Sequence, residues 1–134
     1  MVAPRRALSF IVLAMAFGAL DAFWLNSTAD PLYRAQLGSL MRTSFDFRPV
    51  AIFYPLYLIG VWALAVSPGL GECKISGATW RGALFGLVAY ATYDLTNQAT
   101  ITGWSWTVTA VDLVWGTVAT ATASTLSAWA GLRR

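Results

Sequence analysis

Four apolar stretches, each near twenty residues, follow one another along this chain and leave few folds open to it. They run about Ala7 to Leu25, Pro49 to Val66, Trp80 to Thr100 and Trp106 to Leu132. A helix needs roughly 20 apolar residues to cross the hydrocarbon core of a bilayer. Membrane strands are shorter and alternate apolar with polar residues, and these stretches do neither. The pattern predicts an all-α membrane protein, a bundle of four transmembrane helices. With four spans in 134 residues, a single domain over 1–134 is expected.

Composition agrees. The chain is 57% hydrophobic and 11% charged, where a soluble domain carries roughly 25% charged residues. The net charge of +3 does not indicate nucleic acid, because the cations are scattered over loops and termini with no basic stripe. The single cysteine, Cys73, excludes an internal disulfide. No histidine is present to pair with it as a nucleophile or metal ligand.

The N-terminus resembles a signal peptide at first: Arg5 and Arg6 precede an apolar run, and Ala14-Met15-Ala16 offers small residues. Hydrophobicity continues through Phe23, Trp24 and Leu25, past an ordinary signal-peptide core, so a retained span is expected. Orientation follows from the cations. Arg5, Arg6, Lys74, Arg81, Arg133 and Arg134 fall on one side, and Arg34, Arg42 and Arg48 on the other. The positive-inside rule then puts both termini of a multi-pass membrane protein in the cytoplasm.

The loops carry their own signals. Asn26 to Arg48 is long for a connection in a compact bundle. Asp30-Pro31 reads as an N-cap and first helical position, with Tyr33, Leu37, Leu40 and Met41 on one face. A short amphipathic helix on the outer surface is expected there. Pro68-Gly69 and Gly71 predict a turn within a loop from Ser67 to Thr79. Gly103 marks a tight link that makes the third and fourth spans antiparallel neighbours.

Three carboxylates interrupt these spans: Asp21, Asp94 and Asp112. An acid at the centre of a membrane helix costs about 2.5–3.5 kcal/mol on insertion scales, and such residues mark functional sites by default. On the four-span topology each lies on the order of 6–10 Å below the outer boundary. Three helices therefore deliver a carboxylate to one depth. Tyr90, Tyr93, Asp94 and Asn97 share a helical stripe, which Gly82 and Gly86 extend as a close-packing pair. Asp112 shares a face with Trp115 and Gly116. Tyr54-Pro55-Leu56-Tyr57 lies just inside the same boundary, where the proline frees a carbonyl. Trp104 and Trp106 fit an interfacial belt, and Trp24 fits either the belt or the cavity. The expected site is an outer-side cavity lined by Asp21, Trp24, Tyr54, Tyr57, Tyr90, Tyr93, Asp94, Asn97, Asp112 and Trp115.

These residues also carry a resemblance. Asp21-x-x-Trp24-Leu25, Tyr54-Pro-Leu-Tyr57, Gly86-Leu-Val-Ala-Tyr90-Ala-Thr-Tyr93-Asp94-Leu-Thr96-Asn97, Trp104, and Val111-Asp112-Leu-Val-Trp115-Gly116 form a specific signature. On them the chain resembles an uncharacterised bacterial family of small integral membrane proteins, catalogued as domain of unknown function twenty-one seventy-seven. The resemblance covers nearly the whole chain. It implies a four-helix membrane protein and implies no activity, cofactor or substrate.

Three functions remain open. The first is binding, with transport as its extension, of a small cationic or amphiphilic ligand, since carboxylates supply charge and Tyr and Trp faces supply cation–π contact. The second is an accessory or structural subunit in a homo-oligomer or larger membrane complex, its polar groups acting as interhelical glue. The third is an intramembrane enzyme using an acid/base pair of aspartates on a lipid. Without histidine, histidine-based di-iron, haem and Ser-His-Asp chemistry are excluded, so the balance lies against an enzyme. No spacing demands a metal, and membrane lipids are the surrounding partners in every case.

Overall fold

The computed structural model describes residues 3–133, and Arg134, one of the cations in the orientation argument, lies outside them. The described residues form four long helical runs and no strand. We number them α1 (Ala3–Leu40), α2 (Phe47–Gly71), α3 (Ile75–Thr100) and α4 (Trp106–Leu132).

α4 is the helix against which α1 and α3 pack, and its sequence explains why. Gly103 turns the chain at a φ of 85°. Ser105 then caps the new helix by accepting the Val108 N–H at 3.4 Å. Thr109, Asp112, Gly116, Ala119, Thr120, Ala123, Ser124 and Ser127 recur at helical spacing and are buried. Small side chains let neighbouring backbones approach closely. α3 uses this along its length, and α1 packs beside it. Gly82 and Gly86 face α4. A Cβ on Gly86 would collide with the Gly116 carbonyl oxygen and would lie 2.7 Å from Thr120 Oγ1. Polar pairs then fix the register of α1. Ser9 Oγ donates to the Ser127 carbonyl at 2.9 Å, and Ser127 Oγ donates back to the Ser9 carbonyl at 2.7 Å.

The distribution of residues is inverted relative to a water-soluble bundle. Ile11, Met15, Ile52, Leu56, Leu64, Leu84, Val88, Val114 and Val118 are exposed, while Ser9, Asp94, Thr109, Asp112, Thr120, Ser124 and Ser127 are buried. An apolar exterior around a polar interior suits hydrocarbon as the solvent. α1 and α2 are both long and apolar enough to cross a membrane. α3 and α4, of 26 and 27 residues, have the length but carry more polar side chains.

Three expectations about element ends are corrected. The separate amphipathic helix in the first loop does not form, because α1 runs on to Leu40. Asp30 is not an N-cap. It lies within a π-helical turn, Ala29–Arg34, and pairs with Arg34 at 2.9 Å. Proline lacks an N–H and crowds the carbonyl four residues back, and the wider π turn accommodates Pro31 without ending the helix. α2 is longer than its predicted span for the same kind of reason. A π turn at Trp62–Val66 precedes Pro68, and the helix continues to Gly71. Gly69 serves packing rather than turning, since a Cβ there would lie 2.7 Å from the Ala78 nitrogen. The turn itself is only Glu72 to Lys74. There the Lys74 N–H reaches the Gly69 carbonyl at 3.0 Å and the Cys73 N–H reaches that of Leu70 at 3.2 Å. This is a Schellman cap with Cys73 at a φ of 53° in the place usually held by glycine. α3 consequently starts at Ile75 rather than near Trp80.

Contacts show which ends lie together. Gly131 adjoins Leu70 and Ser9, and Gly69 adjoins Ala78. At the other end, Ser105 Oγ donates to Gln36 Oε1 at 2.8 Å. Ion pairs sit at the helix ends. Asp46 caps α2 through the Arg48 N–H at 3.0 Å and pairs with its guanidinium at 2.8 Å. Those bonds hold its carboxyl below the usual carboxylate range. Glu72 meets Arg81 at 2.5 Å, which depresses its carboxyl likewise.

Candidate functional site

The half of the bundle near Gln36 and Ser105 gathers the three aspartates. Asp112 is the middle one. Its side chain is within electrostatic reach of Asp21 on α1 and of Asp94 on α3. Asp94 is fully buried, and its carboxyl lies against that of Asp112, with no donor from any other described residue. Asp112 is 5% exposed. The ion pairs of the described residues involve none of the three. Burying carboxyls side by side without a cation is costly.

The Asp112 carboxylate accepts a short hydrogen bond from the Tyr33 hydroxyl. That hydroxyl in turn accepts from Trp24 Nε1 at 2.9 Å. Trp24 stacks on Trp115, with ring centroids 4.4 Å apart and planes 8° from parallel, and Asp21 lies beside the Trp115 indole. α1 and α4 are thus joined here by a stack and by a hydrogen-bond chain. The continuation of α1 beyond Thr28 is what brings Tyr33 to Asp112.

A cavity of about 340 Å³ opens beside Asp112, walled by Phe53, Tyr57, Ala89, Tyr90 and Tyr93. Its size falls in the ordinary range for small-molecule sites. Each wall has a local cause. Tyr57 is buried, stacked on Phe17 at 4.9 Å and bonded to Thr120 Oγ1 at 2.8 Å. Tyr90 lies against Gly116, where any Cβ would overlap its ring. Tyr93 packs edge-on to Trp104 at 5.6 Å and is 59% exposed. One carboxylate among aromatic faces is an arrangement that attracts a cation. Among the described residues, no three acidic or cysteine side chains converge to hold a metal.

Of the ten residues expected at the site, Tyr57, Tyr90, Tyr93 and Asp112 line the cavity. Asp21, Trp24, Asp94 and Trp115 form the layer behind or beside it. Tyr54 is elsewhere, packed on Phe17 and Phe53. Asn97 lies nearer the end of α3 and does not line the cavity. Sequence reasoning missed Tyr33, Phe17, Phe53 and Thr120 as partners. Thr120 and Phe17 had a signal, since each shares a buried helical face with residues already singled out. Tyr33 had none, because its partner is 79 positions away. Sequence reasoning also missed a cap above the site, where Trp104 Nε1 donates to Thr109 Oγ1 at 3.1 Å and Thr109 donates to Gln98 Oε1 at 2.8 Å.

The family model described as "Predicted membrane protein (DUF2177)" matches residues 6–129. The chain belongs to this family. The DUF2177 match takes in nearly all of the four helices, with the three aspartates and every wall of the cavity. No curated protein and no solved structure matches the chain. Membership of DUF2177 establishes a membrane protein and brings no ligand, reaction or partner with it.

Proposed function

We propose that this DUF2177 protein binds a small cationic or amphiphilic ligand in the cavity beside Asp112, with transport as the natural extension of that binding. The single observation that carries the reading is the Asp112 carboxylate at the edge of an aromatic cavity, with a second buried carboxyl, Asp94, against it and no cation of the described residues paired to either. A purely structural polar network would satisfy its members, as the reciprocal Ser9–Ser127 pair does. Asp112 and Asp94 instead bring two carboxyls together with no cation of the described residues paired to either.

In this reading all four helices span the bilayer of a bacterial inner membrane as one domain. The apolar exterior of α3 and α4 supports that placement. The ends bearing Arg5, Arg6, Lys74, Arg81 and Arg133 face the cytoplasm, and the cavity opens toward the outer leaflet.

The test is a titration of the purified protein with dodecyltrimethylammonium, read as quenching of tryptophan fluorescence and checked by equilibrium dialysis. Saturable binding is expected, weakened by about tenfold or more in Asp112→Asn, since a unit charge pair about 4 Å apart attracts by about 4 kcal/mol at an effective dielectric of about 20, and tenfold needs only about 1.4 kcal/mol. Binding that is unsaturable, or equal in wild type and Asp112→Asn, contradicts the proposal.

A further inference from the structure

A second, larger cavity of about 650 Å³ adjoins the first at the same end of the bundle. Tyr93 lines both cavities. Tyr33 lines the outer one and donates its hydroxyl to Asp112, which lines the inner one. Two tyrosines therefore form the partition between a carboxylate-bearing chamber and an outer vestibule.

The chemistry of the vestibule is opposite to that of the chamber. Arg34 and Arg42 both line it, together with apolar Leu25, Leu37 and Phe45. Each guanidinium is anchored through Nε, Arg34 on Asp30 at 2.9 Å and Arg42 on the Ser44 carbonyl at 3.4 Å. Their terminal nitrogens make no hydrogen bond among the described residues. A guanidinium held this way still presents a fork of N–H donors, which matches a phosphate. The acid of the vestibule wall, Asp46, is committed to Arg48.

We infer that the two cavities together form one site for a zwitterionic phospholipid, its ammonium group in the Asp112 chamber and its phosphate at Arg34 and Arg42. The inference rests on the cation-binding reading of the chamber and adds the substrate class. Charge complementarity selects this occupant. A simple cation leaves the two arginines unused, and an anionic lipid without an amine leaves Asp112 unused. The apolar vestibule wall accommodates the start of the acyl chains. Tyr93 and Tyr33 lie where the headgroup bends from one chamber to the other.

Native mass spectrometry of the full chain in detergent, with equal amounts of phosphatidylethanolamine and phosphatidylglycerol, tests this directly. Phosphatidylethanolamine is expected to bind about tenfold more tightly, the difference of one charged hydrogen-bonding group. Asp112→Asn should remove that preference. Arg34→Gln with Arg42→Gln should weaken both lipids while leaving dodecyltrimethylammonium binding as in wild type. The two arginines are on the surface, so this variant retains the fold even if an aspartate variant does not. Equal affinity for the two lipids, or phospholipid binding indifferent to the arginine pair, overturns the inference. If dodecyltrimethylammonium still binds in an Asp112-dependent manner, the chamber reading survives that failure. If it does not bind either, both readings fall. Soluble phosphoethanolamine serves as the competitor that separates headgroup recognition from acyl-chain adsorption. Failure to displace bound phosphatidylethanolamine at any concentration also counts against the inference.

Discussion

Gly86→Ala is the substitution that most sharply probes how the site is held. The new Cβ would overlap the Gly116 carbonyl oxygen and meet Gly116 C at 2.8 Å and Thr120 Oγ1 at 2.7 Å. Ordinary contacts lie at 3.4–4 Å. Two of the three obstacles are backbone atoms, which cannot rotate away, so α3 and α4 must separate. Overpacking of this kind costs about 1–3 kcal/mol, and alanine's better helix propensity returns about 1 kcal/mol. With two backbone obstacles the cost falls at the upper end of that range, about 2–3 kcal/mol, so a net loss of about 1–2 kcal/mol is expected in equilibrium unfolding of the detergent-solubilised protein. Gly60→Ala is the control, because its Cβ would meet only the far edge of the Phe85 ring, at 2.9 Å. That side chain can swing aside about its Cα–Cβ bond, and stability there should change by less than about 1 kcal/mol. The separation also moves Tyr90 and Asp94 away from Asp112, so ligand affinity should fall in Gly86→Ala and hold in Gly60→Ala. A Gly86→Ala protein as stable as wild type would refute the close α3–α4 contact and the site geometry built on it.

Other expectations test separate parts of the account. A double-mutant cycle with Trp24→Leu and Trp115→Leu should yield a coupling energy of about 0.5–1.5 kcal/mol from the stacked pair, and additive effects would mean that the rings do not stack. Glu72 has its carboxyl depressed by Arg81, so its contribution is present above the ordinary carboxylate pKa and is lost as pH falls through the lower folded value. Melting wild type and Glu72→Gln between neutral pH and acid should show a gap that closes on acidification, whereas a constant gap argues against the ion pair. Cys73 holds a left-handed conformation at a φ of 53°. Cys73→Gly should be at least as stable as wild type, and Cys73→Val should lose about 1–2 kcal/mol in the same unfolding assay. Equal stability of the two variants would remove the argument for the cap.

Much of the fold was legible because its determinants are local. α4 runs from Trp106 to Leu132 as its sequence predicts, since Gly103, the Ser105 cap and the absence of internal proline all act within a few residues. The stripe of Gly82, Gly86 and Asp94 was readable as a buried face from its spacing of four. Pro31 and Pro68 misled for a common reason. Proline near a glycine or aspartate ordinarily marks a boundary, but a π turn absorbed each one here, and π turns have no clear sequence signature. In the site, charge placed Asp94 and Asp112 together, because helix length fixes depth in a bilayer. Tyr33 could not be placed, since its role depends on α1 continuing past Thr28. Tyr54 and Tyr57 have the same chemistry and lie three positions apart. Only tertiary packing decides that Tyr57 faces the cavity and Tyr54 faces Phe17.

On the proposed function, a cation occupies the chamber beside Asp112. A crystal structure of the protein grown with an alkyltrimethylammonium carrying bromine near its headgroup tests it most directly. Anomalous density is expected between Asp112 and the rings of Tyr57, Tyr90 and Tyr93. Bromine found only along the apolar exterior, with the chamber filled by rotated side chains, would contradict the account.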